Sequence, residues 1–142
     1  MAPLALVDAG PLVGWLNSRD QWHAWSVWAL GRVRGPLHTT EIVLGEALWH
    51  LGGNTRPTHA LLDLVRQRGI QLVRPWPTQL GRTQELMLKY PVMDAGDASL
   101  VTLSEAYPRC PVFTVDRKHF SVYRRFRNEK IPCVMPGEGR RL

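Results

Sequence analysis

Short apolar runs alternate with longer helical patterns along this chain. Five runs bounded by Gly, Pro or polar residues predict strands at 4–7, 37–39, 70–73, 112–115 and 131–134. Apolar residues at helical spacing predict helices over 11–17, from 20 to the Gly35–Pro36 pair, and over 40–51, 57–69, 78–89, 94–107 and 118–126. This alternation is typical of an α/β protein with a mostly parallel central sheet of about five strands, covered by helices on both faces.

Polar residues mark where several of these helices begin. Thr40, Thr78 and Asp94 each precede an apolar pattern and are predicted to cap a helix N-terminus. The length of 142 residues suits one domain, which we place at residues 1–135, followed by a short basic C-terminal tail at 136–142.

Acidic residues are scarce, and two of them follow predicted strands. The chain has 12 Asp and Glu against 18 Lys and Arg. Asp8 closes Leu-Ala-Leu-Val-Asp, and Asp116 closes Val-Phe-Thr-Val-Asp. Ligands of parallel sheets bind beyond the carboxyl ends of the strands. If these two strands are neighbours, both carboxylates lie at the same edge of the sheet.

The remaining acidic candidates lie on predicted helices. Glu46 shares a helical face with Ile42 and His50, and a carboxylate in an apolar stripe must find a partner or shift its protonation. A salt bridge at the helix flank is the alternative for Glu46. Asp94 and Asp97 stand three residues apart at a helix start, which also fits a capping arrangement. The two interpretations are compatible if Asp94 caps and Asp97 points to the sheet edge.

Together these acidic positions predict a metal site. Two carboxylates about 4 to 5 Å apart repel by roughly 3 to 4 kcal/mol at an effective dielectric near 20, so a crowded pocket needs a cation. Oxygen ligands without clustered Cys or His favour Mg²⁺, or alternatively Mn²⁺, over zinc. Such a metal supports phosphodiester hydrolysis by activating water and neutralising phosphoryl charge. Thr114, on the same strand side as Asp116, is predicted to orient a carboxylate or water; a plain buried β-branched residue is the alternative.

The net charge of +6 and the pI near 10.0 favour a polyanionic partner: nucleic acid, an acidic protein tail or an anionic membrane surface. No signal peptide and no membrane span are predicted, because no basic leader precedes Asp8 and no apolar stretch is long enough. Cys110 and Cys133 lie in apolar surroundings and are expected to be buried, reduced thiols of a cytoplasmic protein. A disulfide between them is the alternative.

A basic run follows Asp116 directly. Its cations are candidate phosphate contacts, and the aromatic residues between them are candidates for base stacking: Arg117, Lys118, Arg124, Arg125 and Arg127, with Phe120, Tyr123 and Phe126. The alternative is an amphipathic helix that buries its aromatic stripe and solvates its basic face.

Six Trp residues are many for a chain of this length. Trp22 and Trp25 lie on one stripe of a predicted helix and Trp28 lies on another. We expect the Trp residues to be divided between the core and a protein interface.

The ordered set of motifs resembles a PIN-domain ribonuclease, and most closely the VapC toxin of VapBC-type type II toxin–antitoxin modules. The motifs are Leu-Val-Asp8, Thr-Glu-Ile-Val-Leu-Gly-Glu46, Met-Asp94-Ala-Gly-Asp97-Ala-Ser-Leu and Phe-Thr114-Val-Asp116-Arg-Lys-His-Phe. The resemblance extends from residue 4 to about 134, and the last two motifs are its most specific part. It implies a three-layer α/β/α fold and a Mg²⁺- or Mn²⁺-dependent endoribonuclease activity. It also implies an RNA substrate such as transfer or ribosomal RNA, a cognate antitoxin and a homodimer.

Carried over by position, the resemblance makes Asp8, Glu46, Asp97 and Asp116 the catalytic, metal-binding quartet, with Asp94 as an adjoining acid. Many relatives have Thr-Ser after the first Asp, whereas this chain has Ala9-Gly10 and lacks that hydroxyl.

A non-catalytic PIN-like module that holds RNA or protein is the main alternative, and the intact acidic set argues against it. A phosphate-receiver domain would need paired acids after the first strand, and a haloacid-type phosphatase would need Asp-x-Asp there. Ala-Gly-Pro follows Asp8 instead.

Overall fold

A computed structural model describes residues 2–137, so residues 138–142 of the predicted tail lie outside the described part of the chain. The elements in chain order are β1 (Leu6–Val7), α1 (Ala9–Leu16), α2 (His23–Gly31), β2 (Leu37–Thr40), α3 (Glu41–Leu51), α4 (Arg56–Arg66), β3 (Ile70–Val73), α5 (Leu80–Lys89), α6 (Ala95–Ala106), β4 (Val112–Phe113), α7 (Arg117–Phe120), β5 (Arg124–Arg125), β6 (Glu129–Lys130) and β7 (Cys133–Val134).

The five predicted strands form one parallel sheet in the order β3-β2-β1-β4-β7. Helices cover both faces, which confirms the predicted three-layer α/β/α architecture. The central strand β1 pairs with β4 through Leu6–Val112 and Val7–Phe113. The strands that precede Asp8 and Asp116 are therefore neighbours, and their carboxyl ends meet at one edge.

The sheet is short along its strands but fully buried at its centre. Strands β1 and β4 have two residues each, fewer than the four predicted, and both are fully enclosed. All four residues of β2 are buried, including His38, Thr39 and Thr40. Thr39 satisfies its hydroxyl by donating to the carbonyl of Val7 at 2.7 Å, which holds the end of β1 in place. None of the helices described over residues 2–137 combines the length and apolarity needed to cross a membrane.

The helix caps predicted from the sequence are confirmed in part. The Thr40 hydroxyl accepts from the Val43 amide at 3.1 Å, and Gly52 ends α3 with a φ of 82°, a conformation that glycine adopts without strain. The prediction for Thr78 is wrong: its hydroxyl donates to the carbonyl of Pro75 at 3.2 Å. Helix α5 begins two residues later without a side-chain cap, at Leu80.

The predicted helix over 118–126 is also wrong. Helix α7 ends at Phe120, and the chain then forms a small antiparallel hairpin from β5 and β6. Two consecutive residues with positive φ, Arg127 (61°) and Asn128 (59°), turn the hairpin. The helical pattern is overridden because Arg125 is buried, with 6% of its surface exposed, and needs acceptors that a continued helix would not give it. Arg125 donates to the carbonyls of Ser104 and Pro108 at the C-terminal end of α6.

The Trp residues of α2 are divided between core and surface. Trp25 is 5% exposed and packs in the main hydrophobic core, whereas Trp28 is 46% exposed and carries the Arg32 guanidinium over its ring at 5.0 Å. Trp22 is half-buried. Cys110 and Cys133 are both free thiols, as predicted.

Trp25→Ala should lower the free energy of unfolding by about 3 to 5 kcal/mol, because removal of a buried Trp leaves a cavity. Trp28→Ala should cost clearly less than Trp25→Ala, because nearly half of the Trp28 surface is already exposed and its cation–π contact with Arg32 contributes about 0.5 to 1 kcal/mol. Urea unfolding of both variants measures the difference. Equal destabilisation of the two variants would contradict this division.

Candidate active site

Asp8 lies at the carboxyl end of the central strand and caps α1. It is buried, and its Oδ1 accepts from the Ala9 amide at 2.8 Å. The dipole of α1 favours the ionised form of a carboxylate at this position. The close approach of α1 to the end of β4 requires a small residue, because a Cβ on Gly10 would lie 2.5 Å from Val115.

Thr114 links Asp8 to Asp116. Its hydroxyl donates to Asp8 Oδ2 at 2.7 Å and accepts from the Asp116 amide at 3.0 Å. Because Thr114 is fully buried, both bonds are shielded from water. The contact orients the Asp8 carboxylate and fixes the backbone from which Asp116 projects.

Asp116 caps the short helix α7 and makes a second contact with the same turn. Its Oδ1 accepts from the His119 amide at 3.2 Å, and its Oδ2 lies 2.8 Å from His119 Nδ1. His119 thus holds the orientation of this half-buried carboxylate through both its backbone and its ring.

Asp94 and Asp97 have different roles at the start of α6. Asp94 is exposed and caps the helix, because its Oδ1 accepts from the Asp97 amide at 2.8 Å. Asp97 is half-buried, and its Oδ2 accepts from the Tyr123 hydroxyl at 2.7 Å. This arrangement agrees with the interpretation in which Asp94 caps and Asp97 points to the sheet edge.

Glu46 reaches the site from α3, on the side opposite Asp116. A relay of buried hydroxyls joins the starts of α3 and α6: Thr40 lies 2.9 Å from Ser99, and Ser99 donates to the carbonyl of Gly96 at 2.7 Å. Gly96 leaves room for the carboxylate, since a Cβ there would lie 3.3 Å from Glu46 Oε1 and 3.4 Å from Asp94 Oδ1.

Burial raises the pKa of three of these acids. Burial raises the pKa of Asp8 to about 6, against the hydrogen bonds from Thr114 and Ala9, and the charges of Glu46 and Asp116 add to the rise. Burial likewise raises the pKa of Asp97 to about 7, with further contributions from Asp8, Asp94 and Asp116.

The pKa of Glu46 is raised as well, by burial and by the charge of Asp94. The acids are therefore close enough to repel one another, and full ionisation of the group is unfavourable without a cation.

The donor chemistry of the site fits a hard divalent cation. All candidate donors are carboxylate oxygens, which Mg²⁺ and Mn²⁺ prefer. Over residues 2–137, however, no three His, Cys, Asp or Glu side chains are placed so that they could hold a metal ion as they stand. Asp97 instead accepts from a protein donor at one oxygen, and Asp116 has protein partners at both of its oxygens. Gly96 keeps the space between Glu46 and Asp94 free of side-chain atoms.

The predicted RNA-binding cations do not lie together. Arg125 is enclosed beside Ser104 at the C-terminal end of α6. Ser104 follows Asp97 by seven residues, which is about 10 Å along the helix. Arg127 follows it in the hairpin turn. Only Arg117 and Lys118 adjoin an acid of the site, and Arg117 donates to the carbonyl of Pro136 at 2.8 Å.

Arg124 donates to three backbone carbonyls at the end of α7, those of Ser121, Val122 and Tyr123. The prediction that all five cations face RNA is therefore wrong for Arg125, whose guanidinium is inside the protein.

Sequence reasoning did not identify Tyr123 and His119 as part of the site. Tyr123 was expected to belong to an aromatic stripe, and His119 shows no metal-ligand spacing. The signal for His119 was its position three residues after Asp116 in the first turn of a helix. No sequence signal pairs Tyr123 with Asp97, because the pairing depends on where α7 ends.

The raised pKa of Asp97 makes the stability of the metal-free protein depend on pH. The folded state binds a proton at Asp97 up to about pH 7, whereas an unfolded Asp releases it near pH 4. Stability from this group is therefore present below about pH 4 and lost as the pH rises to about 7. As the pH is raised from 5 to 7.5, the free energy of unfolding should fall less for Asp97→Asn than for the parent. Urea unfolding of both proteins after treatment with a chelator measures this difference.

Asp63→Asn is the matched control, since Asp63 is exposed on α4, where it pairs with Arg66. Its pH dependence should follow that of the parent. Identical curves for Asp97→Asn and the parent would contradict the electrostatic coupling.

The chain was compared with known families, curated proteins and solved structures. None of the curated proteins matches it. VapC20 of Mycobacterium tuberculosis, described as a Sarcin-Ricin loop cleaving toxin, shares the fold with a TM-score of 0.68 and 13% sequence identity, over 76% of this chain and 86% of VapC20. VapBC2 from Rickettsia felis, solved bound to a DNA fragment from its promoter, matches with a TM-score of 0.62 and 12% identity, over 92% of this chain and 97% of the matched chain. The model of the PIN domain family matches residues 5–125, and the chain therefore belongs to that family.

Proposed function

We propose that this protein is a metal-dependent endoribonuclease and the toxin of a VapBC-type toxin–antitoxin module. The observation that carries the proposal is the uncompensated acidic cluster at the carboxyl edge of the sheet. Among the described residues, no Lys or Arg forms an ion pair with Asp8, Glu46, Asp97 or Asp116. Asp116 is paired with His119 at 2.8 Å, but none of the four acids has a permanently charged partner among the described residues. Buried acids without such partners cost stability, which a cation-binding function would explain.

Asp8, Glu46, Asp97 and Asp116 would hold Mg²⁺ or Mn²⁺, and Asp94 adjoins them as the cap of α6. Bound there, the metal would supply an activated water and charge neutralisation at a phosphoryl oxygen. The protein's own contribution is orientation: Thr114 fixes Asp8, and His119 fixes Asp116. Such fixed donors limit the reorganisation needed when the substrate binds.

RNA is the proposed substrate. The net charge of +6 favours a polyanion, and Lys118 is an exposed cation directly after the acidic edge. Unpaired loops suit the site better than an A-form duplex, since their backbone is free to align with an attacking water. VapC20, which shares the fold, is described as cleaving a loop. We therefore propose loops of structured RNAs, transfer or ribosomal RNA, as targets.

A cognate antitoxin and a second copy of the chain are the proposed protein partners. VapBC2, named for both components of such a module, shares the fold. Helix α5 and the turn after it expose apolar side chains that a homodimer would cover: Leu80, Met87, Leu88 and Val92. Trp28 on α2 and Trp49 on α3 are exposed as well, and each is a candidate contact for the antitoxin.

Glu46→Gln and Asp116→Asn should each reduce RNA cleavage by more than about 100-fold, a larger reduction than residues outside a metal's ligand set typically cause. Glu41→Gln is the matched control on the same helix, because Glu41 is exposed and pairs with Arg74 at 2.9 Å. Its activity should equal that of the parent. Circular dichroism checks that each variant is folded.

Full activity in Glu46→Gln and Asp116→Asn would overturn the site. A parent that binds RNA and never cuts it, with or without Mg²⁺ and Mn²⁺, would favour the alternative of a non-catalytic binding module.

Lys118→Ala should reduce the salt dependence of RNA binding, measured in an Asp116→Asn background by fluorescence anisotropy. Removing one phosphate-binding cation lowers the slope of log K against log salt by about 0.7 for a single strand. Arg127→Ala removes one charge from the hairpin turn and is the control. An equal change in both variants would show that binding senses net charge and not this edge of the protein.

A further inference from the structure

Tyr123 occupies a fully buried position beside the acidic edge. It follows α7 and is 0% exposed. Its ring packs edge-on against Tyr90 at 5.2 Å and Phe120 at 5.3 Å, and lies nearly parallel to His119 at 6.2 Å. These contacts fix the ring, and with it the direction of the hydroxyl.

The hydroxyl of Tyr123 makes the single hydrogen bond that the Asp97 carboxylate receives from the described residues. It donates to Oδ2 at 2.7 Å, and no described donor contacts Oδ1. Asp8 and Asp116, by contrast, each have protein partners at both oxygens. Of Asp8, Asp97 and Asp116, Asp97 is therefore the one whose carboxylate is held by described residues at one oxygen and left open at the other.

We propose that Tyr123 is a positioning residue for Asp97: it holds Oδ2 so that Oδ1 stays turned toward the site for the divalent cation. This inference rests on the proposed function. Residues that orient metal ligands in this way typically change metal affinity by about 10- to 100-fold when they are removed.

Packing alone does not require the hydroxyl. A Phe ring would make the same contacts with Tyr90, Phe120 and His119, and the oxygen reaches past them to Asp97. Tyr90 provides an internal comparison. Its hydroxyl accepts from the Arg124 amide at 3.0 Å and makes no contact with an acid of the site.

The test compares Tyr123→Phe with Tyr90→Phe, two variants that each lack one hydroxyl of the same aromatic cluster. Mn²⁺ binding to the full chain, followed by electron paramagnetic resonance, should weaken by about 10- to 100-fold in Tyr123→Phe. It should be unchanged in Tyr90→Phe. The thermal midpoints of the metal-free variants should agree with each other within a few degrees.

Cleavage kinetics supply a second measurement. The Mn²⁺ concentration that gives half-maximal RNA cleavage should rise in Tyr123→Phe by the same factor as the dissociation constant. Saturating Mn²⁺ should restore kcat, since a weakened site can be filled by mass action. A misfolded variant would not recover in this way.

Parent-like Mn²⁺ affinity in Tyr123→Phe overturns the proposal while leaving the nuclease function intact. A thermal midpoint far below that of Tyr90→Phe, without recovery in excess Mn²⁺, also overturns it, because the hydroxyl would then act on the fold. Absence of Mn²⁺ binding in the parent, with or without RNA, overturns both this inference and the proposed function.

Discussion

Repulsion among carboxylates at one edge of the sheet is the constraint around which this structure is arranged. Desolvation and like charge together raise the pKa of Asp8 to about 6 and that of Asp97 to about 7. The protein reduces this cost locally with hydrogen bonds, from the Ala9 amide and Thr114 to Asp8 and from Tyr123 to Asp97. Over residues 2–137, it does not remove the cost with a Lys or Arg, as a purely structural cluster would.

Parallel pairing is what brings the acids together. Strand β1 lies between β2 and β4, so the chain leaves all three strands at the same edge, and a helix begins within four residues of the end of each. Helix starts provide free amides and a favourable dipole, which is why Asp8 and Asp116 can be half or fully buried there. The capping interpretation and the site interpretation of these acids are therefore not alternatives. The same amides that stabilise a helix also orient a carboxylate.

The sequence predicted the architecture well because each strand is a short apolar run bounded by clear breaks, and the acids lie at those breaks. The shared edge of Asp8 and Asp116 was predicted only on the condition that their strands are neighbours, and the pairing of β1 with β4 meets that condition. The region after Phe120 could not be predicted, because its pattern of cations and aromatics has helical spacing. Arg125 was expected at the surface, since charged residues are rarely enclosed without partners. Besides Glu129 in the same hairpin, its acceptors are Ser104 and the carbonyl of Pro108, which are distant in sequence and leave no local signal.

The consequence of that hairpin reaches the site. Because α7 ends early, Tyr123 turns inward and its hydroxyl contacts Asp97 at the start of α6. Arg125 contacts Ser104 near the other end of α6. Helix α6 is thus held at both ends by one segment, next to Asp97 at its start and at Ser104 near its end. A helix fixed in this way cannot slide or tilt without breaking a buried hydrogen bond, which costs about 1 to 3 kcal/mol for the group left unsatisfied. The position of Asp97 is therefore set by the hairpin as much as by the sheet, and the two together determine the geometry of the acidic edge.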